Sequence, residues 1–191
     1  LAEGFRGLDG VGNDVSGLAR ALLTNWDLVE TAKQNGGQIA VPTGALIGLD
    51  AMTAAAEGEI RSVRMITRKP VKGLLGAPYV VEHKIDLESL REATKIFEGT
   101  AREGAKGFPA NVNVAAALAL AGFGPDKTML EIWADPALDR NNHAIEVDAD
   151  SARFSMAIAN VPSENPKTGR ITALSVIALL RKLNAPLRVG T

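Results

Sequence analysis

The chain has no cysteine, which excludes disulfides, thiolate metal sites and a cysteine nucleophile. It also lacks an excess of charge of either sign. Its 21 basic and 22 acidic residues leave a formal net charge of -1, so there is no broad positive field for nucleic acid or an anionic membrane surface. No run of about 18 apolar residues occurs, and the opening LAEGFRGLDG has neither the basic nor the apolar region of a signal peptide. Internal repeats and low-complexity segments are absent as well. A soluble, cytoplasmic protein with a small, locally recognised ligand is the expectation, with neither nucleic acid nor membrane as partner.

What is present suits one domain. At 191 residues and 46% hydrophobic content the chain can bury one good core but is short for two full domains. Its first residue is Leu, not Met, which suggests a fragment end or a processed end. NWDLVETAKQNGG reads as a short helix stopped by Gly36 and Gly37, QIAVP as a brief strand, and TGALIGLDAMTAAAEGE as a helix with Thr43 as a possible N-cap. EIRSVRMITRKP alternates in period two and reads as a strand ending at Pro70. VKGLLGAPYVVEHKI reads as a loop, DLESLREATKIFEGTAREGAKG as a helix capped by Asp86, and PANVNVAAALALAGFG as a buried helix. Three alternating strands follow in KTMLEIWAD, HAIEVDAD and ARFSMAIANV, and ITALSVIALLRKLN closes as an amphipathic helix.

The sum is an α+β fold with a mixed, largely antiparallel sheet. Helices starting near Thr43, Asp86, Asn111 and Ile171 cover one of its faces. The other face, carrying residues such as Trp133, Ile145 or Phe154 depending on register, is either solvated or paired with another subunit.

Few residues offer chemistry. His143, in LDRNNHAIEVDAD, is one of two histidines, and it is either a proton-transfer group, recommended by titration near neutrality, or an ordinary polar residue at a strand edge. His83 sits in a polar loop and reads as a surface residue. Asp135, Asp139, Glu146, Asp148 and Asp150 form an acidic cluster that fits no EF-hand loop, so solvated strand faces explain them and no metal site is expected. Gly10, Gly12 and Gly17 do not follow a strand or precede a second one ending in an acidic residue, as a dinucleotide fingerprint requires.

Six blocks carry a resemblance: VPTGALIGLDAM, TRKPVKGL, FEGTAREGAKGFPANVNVAAALALAG, GPDKT, DPALDRNNHAIEV and NVPSENPKTGRITALSVIALLRKL. In this order, from about residue 27 to 191, they are similar to the L-aspartate dehydrogenase family. The resemblance implies a two-domain enzyme: a Rossmann domain binding NAD or NADP, then a catalytic domain that carries subunit contacts. Residues 41–191 resemble the catalytic and dimerisation domain, and residues 1–40 look like a remnant of the linker and last Rossmann elements. A nucleotide-binding half of on the order of 100 residues is missing from this pattern.

The implied activity is oxidative deamination of L-aspartate to an imino acid, which yields oxaloacetate and ammonia or is drawn into NAD biosynthesis. The implied assembly is a homodimer. Within the match, Arg140-Asn141-Asn142-His143 aligns with the family's active-site histidine segment and Asn113 with an asparagine contacting the nicotinamide nucleotide. The turn at Ala45 aligns with a further cofactor contact. Ile47 stands in the same turn where the pattern has a small residue, and it narrows or reshapes that edge. A substrate with two carboxylates needs cations, for which Arg68, Lys69 and Lys167 are the candidates. Two other readings stand beside this one: an inactive truncated product or oligomerisation module, and a different oxidoreductase of dihydrodipicolinate-reductase-like or homoserine-dehydrogenase-like type.

Overall fold

The structure, a computed structural model, describes residues 19, 21–23, 25, 27–162 and 169–190. Its centre is written by alternation. In Ile60–Lys69 (β1) Val63, Met65, Thr67 and Lys69 are buried, while Arg61, Arg64 and Arg68 on the opposite face are exposed. Four more strands complete one sheet: Thr94–Thr100 (β2), Thr128–Ala134 (β3), Asn142–Ala149 (β4) and Arg153–Ala159 (β5), in the order β2-β3-β1-β4-β5. Only β1 and β3 run parallel; the other three pairings are antiparallel. The sheet is therefore mixed and largely antiparallel.

Besides the helical residues 19 and 21–23 and a single 3-10 turn at Val71–Gly73, six α-helices accompany it among the described residues: Asp27–Gln34 (α1), Leu49–Ala55 (α2), Pro78–Glu82 (α3), Ala101–Gly107 (α4), Asn113–Leu120 (α5) and Arg170–Leu183 (α6). None is long and apolar enough to cross a membrane. α4 starts in a capping box, the Thr100 hydroxyl accepting from the Glu103 N–H and the Glu103 carboxylate accepting from the Thr100 N–H. It lies close on β3 because residue 104 is glycine: a Cβ there would stand 2.6 Å from Leu130 Cδ2. α5 is buried from Val114 to Ala119, and small alanines let it sit among several neighbours. Phe108, fully buried, meets Phe97 edge-on at 5.4 Å and completes the core beside Tyr79.

Several expected elements differ. QIAVP forms no strand; its residues 38–40 are exposed and pair with nothing in the sheet. The helix expected from Thr43 begins only at Leu49, because Gly44 and Gly48 both hold left-handed backbone (φ 65° and 73°) that breaks a helical path. Asp86 makes a turn, accepting from the N–H groups of Glu88 and Ser89, but no helix follows it. The chain instead enters β2, where pairing with β3 overrides the helix-favouring residues around it. The loop expected at residues 71–85 contains α3.

The register also sorts the two faces. Ile145 pairs with Met65 and Val147 with Phe154, so Ile145 and Phe154 belong to the helix-covered face. Trp133 alone of the three expected residues lies opposite, its ring under the Arg68 guanidinium at 5.1 Å and its Nε1 donating to Glu131 at 2.9 Å. Arg64 bonds Glu131 and approaches Glu146 at 3.5 Å, and Lys95 pairs with Glu98. Burial pushes the Glu131 carboxyl up, but hydrogen bonds from Arg64 and Trp133 outweigh it and hold the group below its ordinary value.

Candidate active site

The covered face of β1 ends in Thr67 and Lys69, and β4 begins opposite them. Register pairs Thr67 with His143, and their side chains meet inside the protein, Thr67 Oγ1 lying 3.2 Å from His143 Nδ1. When Nδ1–H donates to that hydroxyl, Nε2 is left as an acceptor without a protein partner among the described residues. His143 is only 4% exposed. Burial first, and the nearby charge of Lys69 second, lower its pKa from 6.5 to about 3, so the ring is neutral at working pH.

Lys69 is 3% exposed, and its ammonium donates to Asn111 Oδ1 at 3.0 Å. No carboxylate pairs with it among the described residues, and burial alone lowers its pKa to about 8. A desolvated cation held by one neutral amide is an incomplete arrangement, since buried charges are ordinarily paired. An anionic ligand completes it.

A cleft opens over these groups. Lys69, Asn111 and Asn113 line it with His143, and residues 43–45 form the wall facing them. Asn113 is the first residue of α5, and its Oδ1 is buried with no hydrogen-bond partner, an acceptor waiting for an N–H. Asn111 is not that helix's N-cap, which is Val112; its amide oxygen serves Lys69. In the facing turn Gly44 N–H donates to Ser175 Oγ at 3.0 Å and Ala45 C=O accepts from Asn160 Nδ2 at 3.1 Å.

The structure thus brings together His143, Asn113, Ala45 and Lys69. It does not bring Arg68, which lies across the sheet over Trp133, or Ile47, which is 36% exposed and does not line the cleft. Lys167 and Gly10, Gly12 and Gly17 lie outside the described residues. His83 is exposed, stacked on Tyr79 at 3.8 Å. Of the acidic cluster, Asp139 pairs with Arg140, and Asp148 with Arg61 and Arg153. Sequence reasoning missed Thr67, although its place two residues before Lys69 on an alternating strand put both on one face.

Comparison with known proteins gives a consistent result. The family described as "Aspartate dehydrogenase, C-terminal" matches residues 50–183. An L-aspartate dehydrogenase of Bradyrhizobium diazoefficiens is 69% identical over 170 residues, covering 89% of this chain and 61% of that protein. L-aspartate dehydrogenase 3 of Bordetella bronchiseptica is 59% identical, covering 90% and 63%. The chain therefore spans somewhat less than two thirds of these relatives' length. The crystal structure of aspartate dehydrogenase from Thermotoga maritima superposes with a TM-score of 0.71 at 28% identity, covering 90% of this chain and 66% of that one.

Proposed function

The chain belongs to the aspartate dehydrogenase family, and from that premise we propose that it performs the NAD- or NADP-dependent oxidative deamination of L-aspartate in the cytoplasm. In this reading residues 41–191 are the catalytic and dimerisation portion, and residues 1–40 the linker and last elements of a nucleotide-binding domain. The observation that carries it is Lys69: a buried cation without a counter-ion among the described residues, in one cleft with a neutral histidine and an unsatisfied amide.

Lys69 holds one substrate carboxylate, which restores the pairing its burial demands. The substrate amine, once deprotonated, can release hydride from its α-carbon as the carbon–nitrogen double bond forms. Neutral His143 takes the amine proton on Nε2, with Thr67 fixing the ring through Nδ1. Isolated, the imidazole is a weak base, but a carboxylate at Lys69 cancels part of the positive field that depresses it. Once it has passed that proton to solvent, the same nitrogen can accept a proton from the water that attacks the imine.

The residues fit a nicotinamide nucleotide. The Asn113 acceptor matches the N–H of a carboxamide, and the small Ala45 allows close approach of backbone to ligand. When bound, that nucleotide supplies the hydride acceptor. The test is incubation of the protein, with a nucleotide-binding domain supplied, with L-aspartate and NAD or NADP. Reduced nucleotide formed in step with ammonia is expected; nucleotide reduction that does not require L-aspartate counts against the assignment.

The reading includes a homodimer. Ile66, Ala144 and Ala157 form an apolar row on the uncovered face of the sheet, beside Trp133 and framed by Arg64, Glu146 and Arg153. Alternating charges around an apolar centre are self-complementary under a two-fold axis. Light scattering after size exclusion is expected to give twice the 20.0 kDa chain mass. A clean monomer in moderate salt would remove the dimer from the proposal.

A further inference from the structure

We infer that Asn160 and Ser175 are positioning residues, which together clasp the turn at residues 43–45 so that it stands at the correct distance from His143 to receive the nucleotide. The inference rests on the proposed placement of the nucleotide at Ala45.

The turn has few hydrogen bonds of its own, although Leu46 beside it is buried in the core and Ala45 packs against that core. α1 before it has no buried residue, residues 37–43 form no regular element, and the turn's internal bond is one 3.3 Å contact from Leu46 N–H to Thr43 C=O. Gly44 is left-handed, a conformation that neighbouring secondary structure does not impose. Its support comes from residues far along the chain.

Asn160 follows β5 and is 3% exposed. Its side-chain amide donates to Ala45 C=O at 3.1 Å, and its backbone N–H donates to Asn141 C=O at 2.9 Å. One residue therefore ties the turn to the segment that feeds His143, so it sets the separation of the two walls. Residue 169 must be small for this: a Cβ on Gly169 would stand 2.9 Å from Asn160 Oδ1 and 3.0 Å from its Cβ. The second hold is Ser175 on α6. Its hydroxyl donates to Thr172 C=O at 2.7 Å, which turns a lone pair to the Gly44 N–H. The two bonds grip adjacent residues of the turn from separate elements, and a slack turn would leave two backbone polar groups unmet at the cleft wall.

The experiment compares Ser175→Ala, Ser175→Thr, Asn160→Asp and the Ser175→Ala/Asn160→Asp double variant, with two readouts. The first is hydrogen exchange of the Gly44 amide in protein without nucleotide. It is expected to accelerate in Ser175→Ala and to return towards the original rate in Ser175→Thr, which restores the hydroxyl. The second is steady-state kinetics. The nucleotide KM is expected to rise roughly tenfold in Ser175→Ala, the scale of one lost hydrogen bond, and by more in Asn160→Asp, which sets a buried carboxylate against the Ala45 carbonyl. The rise in KM for L-aspartate is expected to be much smaller. Because both groups act through one turn, the double variant should fall short of the product of the singles.

Unchanged Gly44 exchange in Ser175→Ala overturns the clasp itself. Faster exchange with an unmoved nucleotide KM also overturns the inference, and locates the error in the placement of the nucleotide at Ala45. Equal rises in both KM values with a lowered Tm mean general loosening, which likewise defeats a positioning role.

Discussion

His143→Ala is expected to lower kcat with L-aspartate by about 10²–10⁴, the usual worth of a general acid–base group, and to leave nucleotide affinity nearly unchanged. The second half of the expectation follows from position: His143 lies with Thr67 on the β1–β4 side of the cleft, whereas the proposed nucleotide contacts are on α5 and the facing turn. The pH profile provides a sharper check. The free enzyme reports its base in kcat/KM, and this base is neutral down to about pH 3, so no acid limb should appear near the ordinary histidine value of 6.5. The same burial has a cost in acid. As pH falls below 6.5 the unfolded chain takes up a proton that the folded one refuses, so stability declines from there towards about pH 3, by about 1.4 kcal/mol per unit. His143→Ala should flatten that decline. A variant keeping half its activity, or a limb at 6.5, would return His143 to an ordinary polar role.

Lys69→Met is expected to stabilise the fold and disable it. With its pKa lowered from 10.5 to about 8 by burial, Lys69 costs the folded state about 3 kcal/mol at neutral pH. The sign follows from proton counting. Below pH 8 both states hold the proton and the cost is complete; between 8 and 10.5 the unfolded chain still holds a proton the folded one has released, so stability rises with pH. Methionine fills the same volume without the charge, so denaturant unfolding at pH 7 should show a gain that vanishes above pH 10.5. Its kcat/KM for L-aspartate should fall by about 10²–10³, as when one partner of a desolvated charge pair is removed. In the unaltered protein kcat/KM for L-aspartate should decline above about pH 8, where free Lys69 loses its proton. A methionine variant that is less stable would show that Lys69 has a protein counter-charge, and one that handles L-aspartate as before would show that Lys69 does not hold the substrate.

Period-two alternation made β1, β3, β4 and β5 legible; β1 and β4 bury one face and leave the other at least partly exposed, while β5 alternates between partly buried and exposed residues. It did not reveal β2, whose sequence TKIFEGT sits between helix-favouring runs and becomes a strand through its partner. Alternation also contained an answer that was not used. Arg68 and Lys69 are neighbours on one strand and must face opposite ways, and the parity of Val63 and Met65 assigns the cleft to Lys69. Asn160 and Ser175 lay beyond such reading. Their partners are 115 and 131 residues away, and nothing local to either records a bond across that distance.

The sheet order bears on how the chain is made. β1 is central, yet both its partners are encoded much later: Val63 waits for Thr128, and Ile60 for Ala149. At roughly 5–20 residues per second of synthesis, the strand spends several seconds outside the ribosome with Val63 and Met65 uncovered and its ladder unmade. During that interval it resembles an exposed sheet edge, which invites pairing with strands of neighbouring nascent chains. Arg61, Arg64, Arg68 and Lys69 fall within it, and charge interleaved with apolar residues is the pattern that discourages such pairing. The arginines that later lie on the uncovered face thus guard the strand before that face exists.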